Sequence, residues 1–502
     1  MKTIYLLFDS LNRAALSTYG GEIETPNFDR LASHSAVFDK HYIGSMPCMP
    51  ARRDMHTGRL NFFHRSWGPL EPFDESFVAN LVEKGIYTHL TSDHNHYFED
   101  GGATYHNRYN TYDFIRGQES DPWIAMVKPP LEKFREKYNP KQFGAERAPM
   151  RIQGMINETV FKTEKDYPLH KCFDAALDFL KTNYEEQDWF LHLECFDPHE
   201  PFAAPDRFRS KSMNGSLQQE YTWPQYRKSS DDTDEEIAEI KENYAALIRF
   251  CDEQLGRMLD FIDEKEMWND TTIILTTDHG FMLGEHDWWG KLRMPFFNEI
   301  ANIPLFIHDA TTPNSWGTRI NQLTQTTDIS ATILDLYNLS PCNYSTGKSI
   351  LPLIRKKNES SREVALYGIF GGSINATDGE FTYFLYPKPS SEEKLHEYTL
   401  MPMHSTSMFE IKELENAELV RGFNFTKGCP VLKVPALDDA KRPPMQGGGF
   451  AENYTRLYDL RSDPRQLEPI ENKAAETRLK KLIVKELSLH EAPEEIYSIY
   501  DL

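Results

Sequence analysis

The chain has 502 residues, with 55 lysines and arginines against 77 aspartates and glutamates, a net charge of −22 at neutral pH. That balance argues against nucleic acid as a partner and against tracking of a long polyanion, while a small anion in a locally basic pocket is compatible with it. The length exceeds what one core ordinarily supports, so a large domain and a smaller one are expected, at residues 1–360 and 361–502. A composition that is 39% hydrophobic and 13% aromatic suits a globular protein with a sizeable core. Cysteines 48, 172, 195, 251, 342 and 429 are widely spaced with no C-x-x-C pair, which argues against a disulfide framework or a zinc site. Near the N-terminus, Ile4–Phe8 is too short for a signal h-region or a membrane span, so a cytoplasmic location with no membrane contact is expected.

Thr3–Phe8 is a continuous apolar run, the pattern of a central parallel strand buried on both faces. Asp9 therefore falls at the carboxyl end of a strand, where open α/β sheets place their ligands. Thr25 and Pro26 read as the N-cap and first residue of a helix. Cys48-Met-Pro-Ala-Arg-Arg-Asp-Met-His-Thr-Gly-Arg59 sets one thiol beside guanidinium groups that attract an anion, on a backbone restrained by proline and glycine. A buried thiol at a helix start is the commoner fate of such a cysteine. Phe77–Glu83 predicts a helix stopped by Gly85, and Tyr87–Thr91 a strand that opens into Asp93-His94-Asn95-His96. Residues 99–165 show no clear periodicity and are expected to form a long irregular excursion that shapes a pocket.

His170–Thr182 predicts a short amphipathic helix and Trp189–Glu194 a strand leading into Asp197-Pro-His-Glu-Pro-Phe202. Thr233 and Glu236 form a capping box, after which Ile237, Ile240, Tyr244, Leu247, Cys251, Leu255, Met258 and Ile262 recur at helical spacing. That stripe is core packing. Thr272–Thr276 is the next buried strand, ending at Thr277-Asp278-His279-Gly280, with Gly284-Glu-His286 and Gly290-Lys291 beyond. Ile303–His308 predicts a further strand and Thr327-Asp328-Ile329 a helix start. The polar Lys356–Arg362 run suits a domain boundary, and Val364–Tyr367, Phe381–Tyr386 and Arg456–Leu460 are β-patterned runs beyond it. Asp9, Asp278 and His279 all lie at strand ends on one sheet edge, and two carboxylates with a histidine suggest a divalent cation, calcium or magnesium by their oxygen-rich character.

The Cys48–Arg59 stretch resembles the sulfatase motif C-x-P-[SA]-R-x-x-[LM]-x-T-G-R, whose cysteine becomes formylglycine. Thr25–Ala32, Asp197–Phe202 and Thr277–Lys291 resemble that family's T-P-N-[LF]-D-R-L-A, D-P-H-x-P-[FW] and [ST]-D-H-G-x-x-L-G-E-H-x-x-W-G-K segments, in the family's order. The resemblance implies an alkaline-phosphatase-like α/β fold: a central, mostly parallel sheet flanked by helices, with a smaller C-terminal α+β subdomain carrying an antiparallel sheet. It implies a metal, calcium foremost with magnesium or manganese as alternatives, held by Asp9, Cys48, Asp278 and His279. It further implies that hydrated Cys48 formylglycine attacks sulfur through one hydroxyl and expels sulfate by losing a proton from the other. Arg52 would stabilise the modified residue, Lys291 would bind a sulfate oxygen, and His199 would protonate the leaving group. A formylglycine-generating enzyme is an implied partner.

Two positions depart from the family pattern. Ser10 stands where a second aspartate is usual, and Asp93-His94 where many members carry G-K-W-H with a sulfate-binding lysine. His94 is the substitute for that lysine, with His96 and His286 as further pocket candidates. The expected activity is hydrolysis of a sulfate ester on a small sulfated sugar. The alternatives are a phosphonate monoester or phosphodiester hydrolase of the same superfamily, and a binding protein whose Cys48 is never modified.

Overall fold

The computed structural model describes every residue except 145–147, 211–218, 356–361, 389, 390, 392 and 437–449. Its centre is one sheet of eight strands: β1 (Lys2–Phe8), β2 (Ala36–Phe38), β3 (Tyr87–Ser92), β4 (Thr111–Phe114), β5 (Trp189–Cys195), β6 (Thr271–Thr276), β7 (Leu305–His308) and β8 (Thr318–Ile320). They lie in the order β8-β2-β7-β6-β1-β5-β3-β4. Only β7 runs antiparallel to its neighbours β2 and β6, and every other pairing is parallel. This is the mostly parallel α/β sheet expected.

β1, β5 and β6 are buried along their whole length. Alternate side chains serve opposite faces. Ile4, Leu6 and Phe8 pack with the helices Pro26–Ser33, Pro168–Asn183 and Asp234–Glu264, whereas Tyr5 and Leu7 pack with Phe77–Glu83 and Asp328–Leu336. Register aligns the strand ends: Phe8 faces Cys195, Leu7 faces Thr276 and Ser92 faces Glu194. The residues that follow these strands therefore emerge at one level.

The Thr233–Glu236 capping box forms as expected and starts a 31-residue helix. Thr25 does precede a helix, but it does not cap it. Its hydroxyl is committed to Ser17, 3.0 Å from the backbone N–H and 2.6 Å from the side-chain oxygen. The 99–165 excursion is more ordered than its sequence suggests. It contains the edge strand β4 and the helices Leu131–Lys137 and Ala148–Glu158. β4 escapes periodicity because most of its residues are exposed, and its pairing with β3 is what defines it.

Among the described residues beyond 364 lie two antiparallel sheets. One has four strands, Ala365–Gly368, Ile374–Thr377, Phe381–Leu385 and Arg456–Asp459. The other has three, with Val431–Pro435 between His396–Thr399 and Glu418–Val420. The four-stranded sheet alternates between two cores: Leu366, Tyr383 and Leu457 meet the helix Lys473–Leu489 and Leu60, Phe62 and Phe63, while Tyr367, Phe384 and Tyr458 join the main core. Gly368 also fastens the loop before Cys48, accepting from Met46 N–H at 2.7 Å and donating to Gly44 O at 3.1 Å. Most of the Lys356–Arg362 run lies outside the described residues. Among the described residues no helix is long and apolar enough to cross a membrane.

Candidate active site

Cys48 opens the helix Cys48–Thr57, all ten residues of which are buried, charged ones included. Each charge therefore needs a partner. Arg53 pairs with Asp74 at 2.7 Å, and Asp54 accepts from Ser45 N–H at 2.6 Å and Asn61 N–H at 3.0 Å. The helix N-terminus, with its positive dipole end, thus faces the site carrying Cys48 on a rigid support.

Arg52, one turn on, organises the floor. Its Nε donates to Glu194 at 2.8 Å, Nη1 to Asp278 at 2.5 Å and to the Cys48 carbonyl at 2.9 Å, and Nη2 to Asp9 at 2.9 Å. All four side chains are essentially inaccessible. Burial alone would push the Asp9 carboxyl up, but Arg52 and Lys291 hold it well below the usual carboxylate range. Burial raises Glu194, against the pull of Arg52, and Tyr97 donates to it at 2.7 Å. Sequence reasoning missed Glu194. Its signal was a carboxylate inside an otherwise buried strand, a position that acidic side chains almost never occupy unpaired.

The donor atoms of Asp9, Cys48, Asp278 and His279 all lie within 4.8 Å of one another. His279 Nδ1 donates to Gly280 O at 3.1 Å, since a carbonyl can only accept, so the Nε2 lone pair faces Cys48 Sγ 3.2 Å away. Burial pushes this imidazole down to about 4, so it is neutral and free to ligate. Two carboxylates and a neutral imidazole suit a divalent cation, and an oxygen in place of the Cys48 sulfur, as formylglycine supplies, completes the match to a hard ion. Gly280 is required here, because a Cβ would stand 1.9 Å from the Glu299 carbonyl oxygen and displace the His279 backbone.

Lys291 reaches the same point from the opposite wall. Its Nζ donates to Ser10 Oγ at 2.9 Å and lies 3.7 Å from Cys48 Sγ. Burial opposes its charge but is outweighed by Cys48, Glu200, Asp9 and Asp278, so it stays an ammonium. Ser10, held at φ +61°, donates its own hydroxyl hydrogen bond to Asp9 at 2.8 Å. The missing second aspartate is thus replaced by a hydroxyl that links Lys291 to Asp9. Gly290, at φ +105°, lets the chain turn against Tyr226, where a Cβ would meet the ring at 2.4 Å. Burial raises the Cys48 thiol, reinforced by Asp9, so the unmodified side chain is a poor nucleophile.

His199 follows β5 and donates from Nδ1 to the Glu200 carbonyl at 2.5 Å. The Glu200 carboxylate lies 3.3 Å from His199 Nδ1 and 3.9 Å from Lys291, and accepts from Tyr226 OH. His199 and Lys291 hold Glu200 below the ordinary carboxylate range despite its burial. Glu200, which the sequence left without a role, therefore couples His199 to Lys291.

His94 lies 3.6 Å from Asp9, beyond hydrogen-bond reach. Burial and Arg52 hold it far below the usual histidine range, so a neutral imidazole stands where many sulfatases carry an ammonium. Asp93 turns away, accepting from Phe196 N–H at 2.7 Å and Gln118 at 3.1 Å. His96 is held by Glu99 at 2.6 Å, beside His94. His286 stacks flat on Phe297 at 3.6 Å, and Phe297 meets Phe384 and Tyr458 of the four-stranded sheet. Among its described contacts none joins His286 to the Asp9–Cys48 cluster. The other expected site residues converge on one buried point.

The Sulfatase family matches residues 2–339. The arylsulfatase of Clostridium perfringens is 23% identical over 85% of this chain and 98% of its own length. The phosphonate monoester hydrolase of Agrobacterium radiobacter superposes with a TM-score of 0.66 at 19% identity, covering 97% of this chain and 96% of that one. BT4656, solved with its substrate D-glucosamine-2-N,6-O-disulfate, gives a TM-score of 0.66 at 15% identity, covering 98% of each chain. With the fold, the cysteine helix and a buried cluster that could hold a metal in place, the chain belongs to the sulfatase family of sulfuric ester hydrolases, within the alkaline phosphatase superfamily.

Proposed function

We propose that the protein hydrolyses the sulfate ester of a small sulfated sugar, using Cys48 after its conversion to formylglycine and a divalent cation, calcium foremost, at Asp9, Cys48, Asp278 and His279. The observation that carries this reading is the meeting of Cys48 with His279 at 3.2 Å and Lys291 at 3.7 Å, on a floor fixed by Arg52. The sugar is suggested by the glucosamine disulfate bound to the structural relative BT4656.

A hydrated formylglycine supplies the nucleophilic hydroxyl and the exit route that a thiol lacks. When bound, the cation offsets negative charge at the nucleophile and the sulfate oxygens. Lys291 holds a sulfate oxygen through its ammonium, and Ser10 keeps that ammonium aimed at the centre. Arg52 holds Asp9 in ionised form, ties Asp278 by a hydrogen bond and anchors the Cys48 carbonyl, so the nucleophile and the ligands cannot drift apart. His199 gives its Nε2 proton to the departing sugar oxygen, with Glu200 stabilising the imidazolium through the Nδ1 side.

Intact-mass spectrometry of active protein is expected to show Cys48 as formylglycine. An unmodified thiol in active enzyme would sink the mechanism. A second reading, phosphonate monoester or phosphodiester hydrolysis, has its own support: the neutral His94 leaves Lys291 and Arg52 as the cations at the centre. Side-by-side rates on an aryl sulfate, a phosphonate monoester and a phosphodiester separate the two, and sulfate turnover slower than both phosphorus substrates would favour the second.

A further inference from the structure

Tyr226, buried and so far without a part in the chemistry, touches the supports of both His199 and Lys291. Its hydroxyl donates to Glu200 Oε1, and Glu200 follows His199 in the chain. Its ring lies against Gly290, where a Cβ would meet ring carbons at 2.4 and 2.5 Å, and Gly290 precedes Lys291. Backbone bonds fix the tyrosine to the same turn. Arg293 donates to the Tyr226 carbonyl at 2.9 Å, and Trp289 N–H donates to the next carbonyl, that of Arg227, at 3.0 Å. The ring also meets Phe281 edge-on at 5.8 Å, and Phe281 N–H donates to Asn12 at 2.6 Å, in the segment that follows Asp9. One side chain is thus braced against every strand end that supplies the site's proton donor and anion-binding lysine.

The second oxygen of Glu200 shows what this contact controls. Glu200 Oε2 is buried and makes no hydrogen bond among the described residues, although it lies 3.3 Å from His199 Nδ1 and 3.9 Å from Lys291 Nζ. A buried carboxylate oxygen left between an imidazole and an ammonium has two places to go. A turn of the carboxylate towards Lys291 would close an ion pair there and draw the ammonium off Ser10 Oγ, now 2.9 Å away. It would also leave His199 Nδ1 with the Glu200 carbonyl alone. The Tyr226 hydroxyl opposes that turn, because Oε1 would have to give up a charge-assisted hydrogen bond inside the protein. A carboxylate kept at Nδ1 orients the ring for donation from Nε2. We propose that Tyr226 is a positioning residue for leaving-group protonation, holding the Glu200 carboxylate at His199 and away from Lys291. The assignment rests on the reading of His199 as the acid.

The test compares the full-length wild type with Tyr226→Phe, Glu200→Gln, the double variant and His199→Ala, on para-nitrophenyl sulfate and on phenyl sulfate. The two esters are alike around sulfur, but nitrophenolate departs without a proton whereas phenolate gains from one. The readout is the ratio of kcat/KM on the nitrophenyl ester to that on the phenyl ester. A merely structural loss slows both alike and leaves the ratio where it was. His199→Ala should raise the ratio most, and Tyr226→Phe, which keeps the ring against Gly290, should raise it by about tenfold, the worth of one hydrogen bond to a charged group. In the Glu200→Gln background, loss of the tyrosine hydroxyl should add nothing, since its effect travels through the carboxylate. An unchanged ratio in Tyr226→Phe beside a raised one in His199→Ala overturns the positioning role and leaves the acid reading standing. A full additional rise in the double variant also overturns it. An unchanged ratio in His199→Ala overturns the acid reading and the tyrosine's role together. If phosphorus esters are the faster substrates, the same two leaving groups on a phenylphosphonate decide by the same ratio, so sulfate turnover and the tyrosine's role fail separately. A protein that cleaves neither set removes the proposed function and the tyrosine's role with it.

Discussion

The floor of the site and the wall beside it are built on opposite terms. Beneath Cys48, Arg52 contacts Glu194, Asp278, Asp9 and a backbone carbonyl, and the charges balance inside the protein. From His94 to Trp67 buried polar atoms have no hydrogen-bond partner among the described residues. A network complete in itself holds a geometry, whereas an incomplete one does not. The geometry of the floor is therefore set by its own charges, whereas that of the His94 side is not.

That contrast can be broken most forcefully at Arg52. Arg52→Leu removes the cation that Asp9, Glu194 and Asp278 share in the buried floor, at a cost of about 3–5 kcal/mol, read as a lowered denaturant midpoint. A midpoint equal to wild type would mean that the floor is held by something else. Next come Lys291→Ala and His199→Ala. Turnover should drop about 10²–10³-fold for the lysine and about 10²–10⁴-fold for the histidine, with the melting temperature close to wild type. Wild-type rates in either variant would take that residue out of the mechanism.

The support beneath the floor should also be acid-sensitive. Burial pushes His56 down to about 3, with Arg108 adding to the effect, and burial likewise takes His41 to about 3. The unfolded chain binds protons at these histidines below about pH 6.5, whereas the folded protein does not. Stability should therefore fall as pH drops from about 6.5 towards 3, by about 1.4 kcal/mol per pH unit for each histidine. His56→Gln should flatten that slope, and an unaltered slope would show that His56 does not contribute to it. The smallest effect belongs to the wall: His94→Gln should change rates by only about threefold, equivalent to well under 1 kcal/mol. A collapse of turnover in that variant would place His94 with the floor.

Much of the floor could be read before the fold was known, because its chemistry sits in short local patterns at strand ends. Asp9 and Asp278-His279 could be placed because each follows a continuous apolar run, whereas the role of Cys48 with its proline and arginines came from its resemblance to the sulfatase motif. The sheet was legible for the same reason, through its fully buried strands. What escaped depends on neighbours distant in sequence. Glu194 acquires its meaning from Arg52, and Glu200 from Lys291 and Tyr226. β4 is a strand only because β3 lies beside it. Thr25 has the composition of a cap, yet Ser17 competes for its hydroxyl. Tyr226 stands out through the partners it joins, Glu200 and Gly290, which no spacing can reveal, and His286 was set beside the pocket by a motif whose side chain packs on Phe297.

Gly368 has a consequence in time. Its two hydrogen bonds fasten the loop that leads into Cys48, yet Gly368 lies 320 residues further along the chain (368 − 48 = 320). At a synthesis rate of roughly 5–20 residues per second, about 16–64 s separate the appearance of Cys48 from that of its fastener. During that interval the thiol that ends 2% exposed lacks one fastener of its final setting. The closing of the loop before Cys48 is thus timed by the ribosome's progress to residue 368.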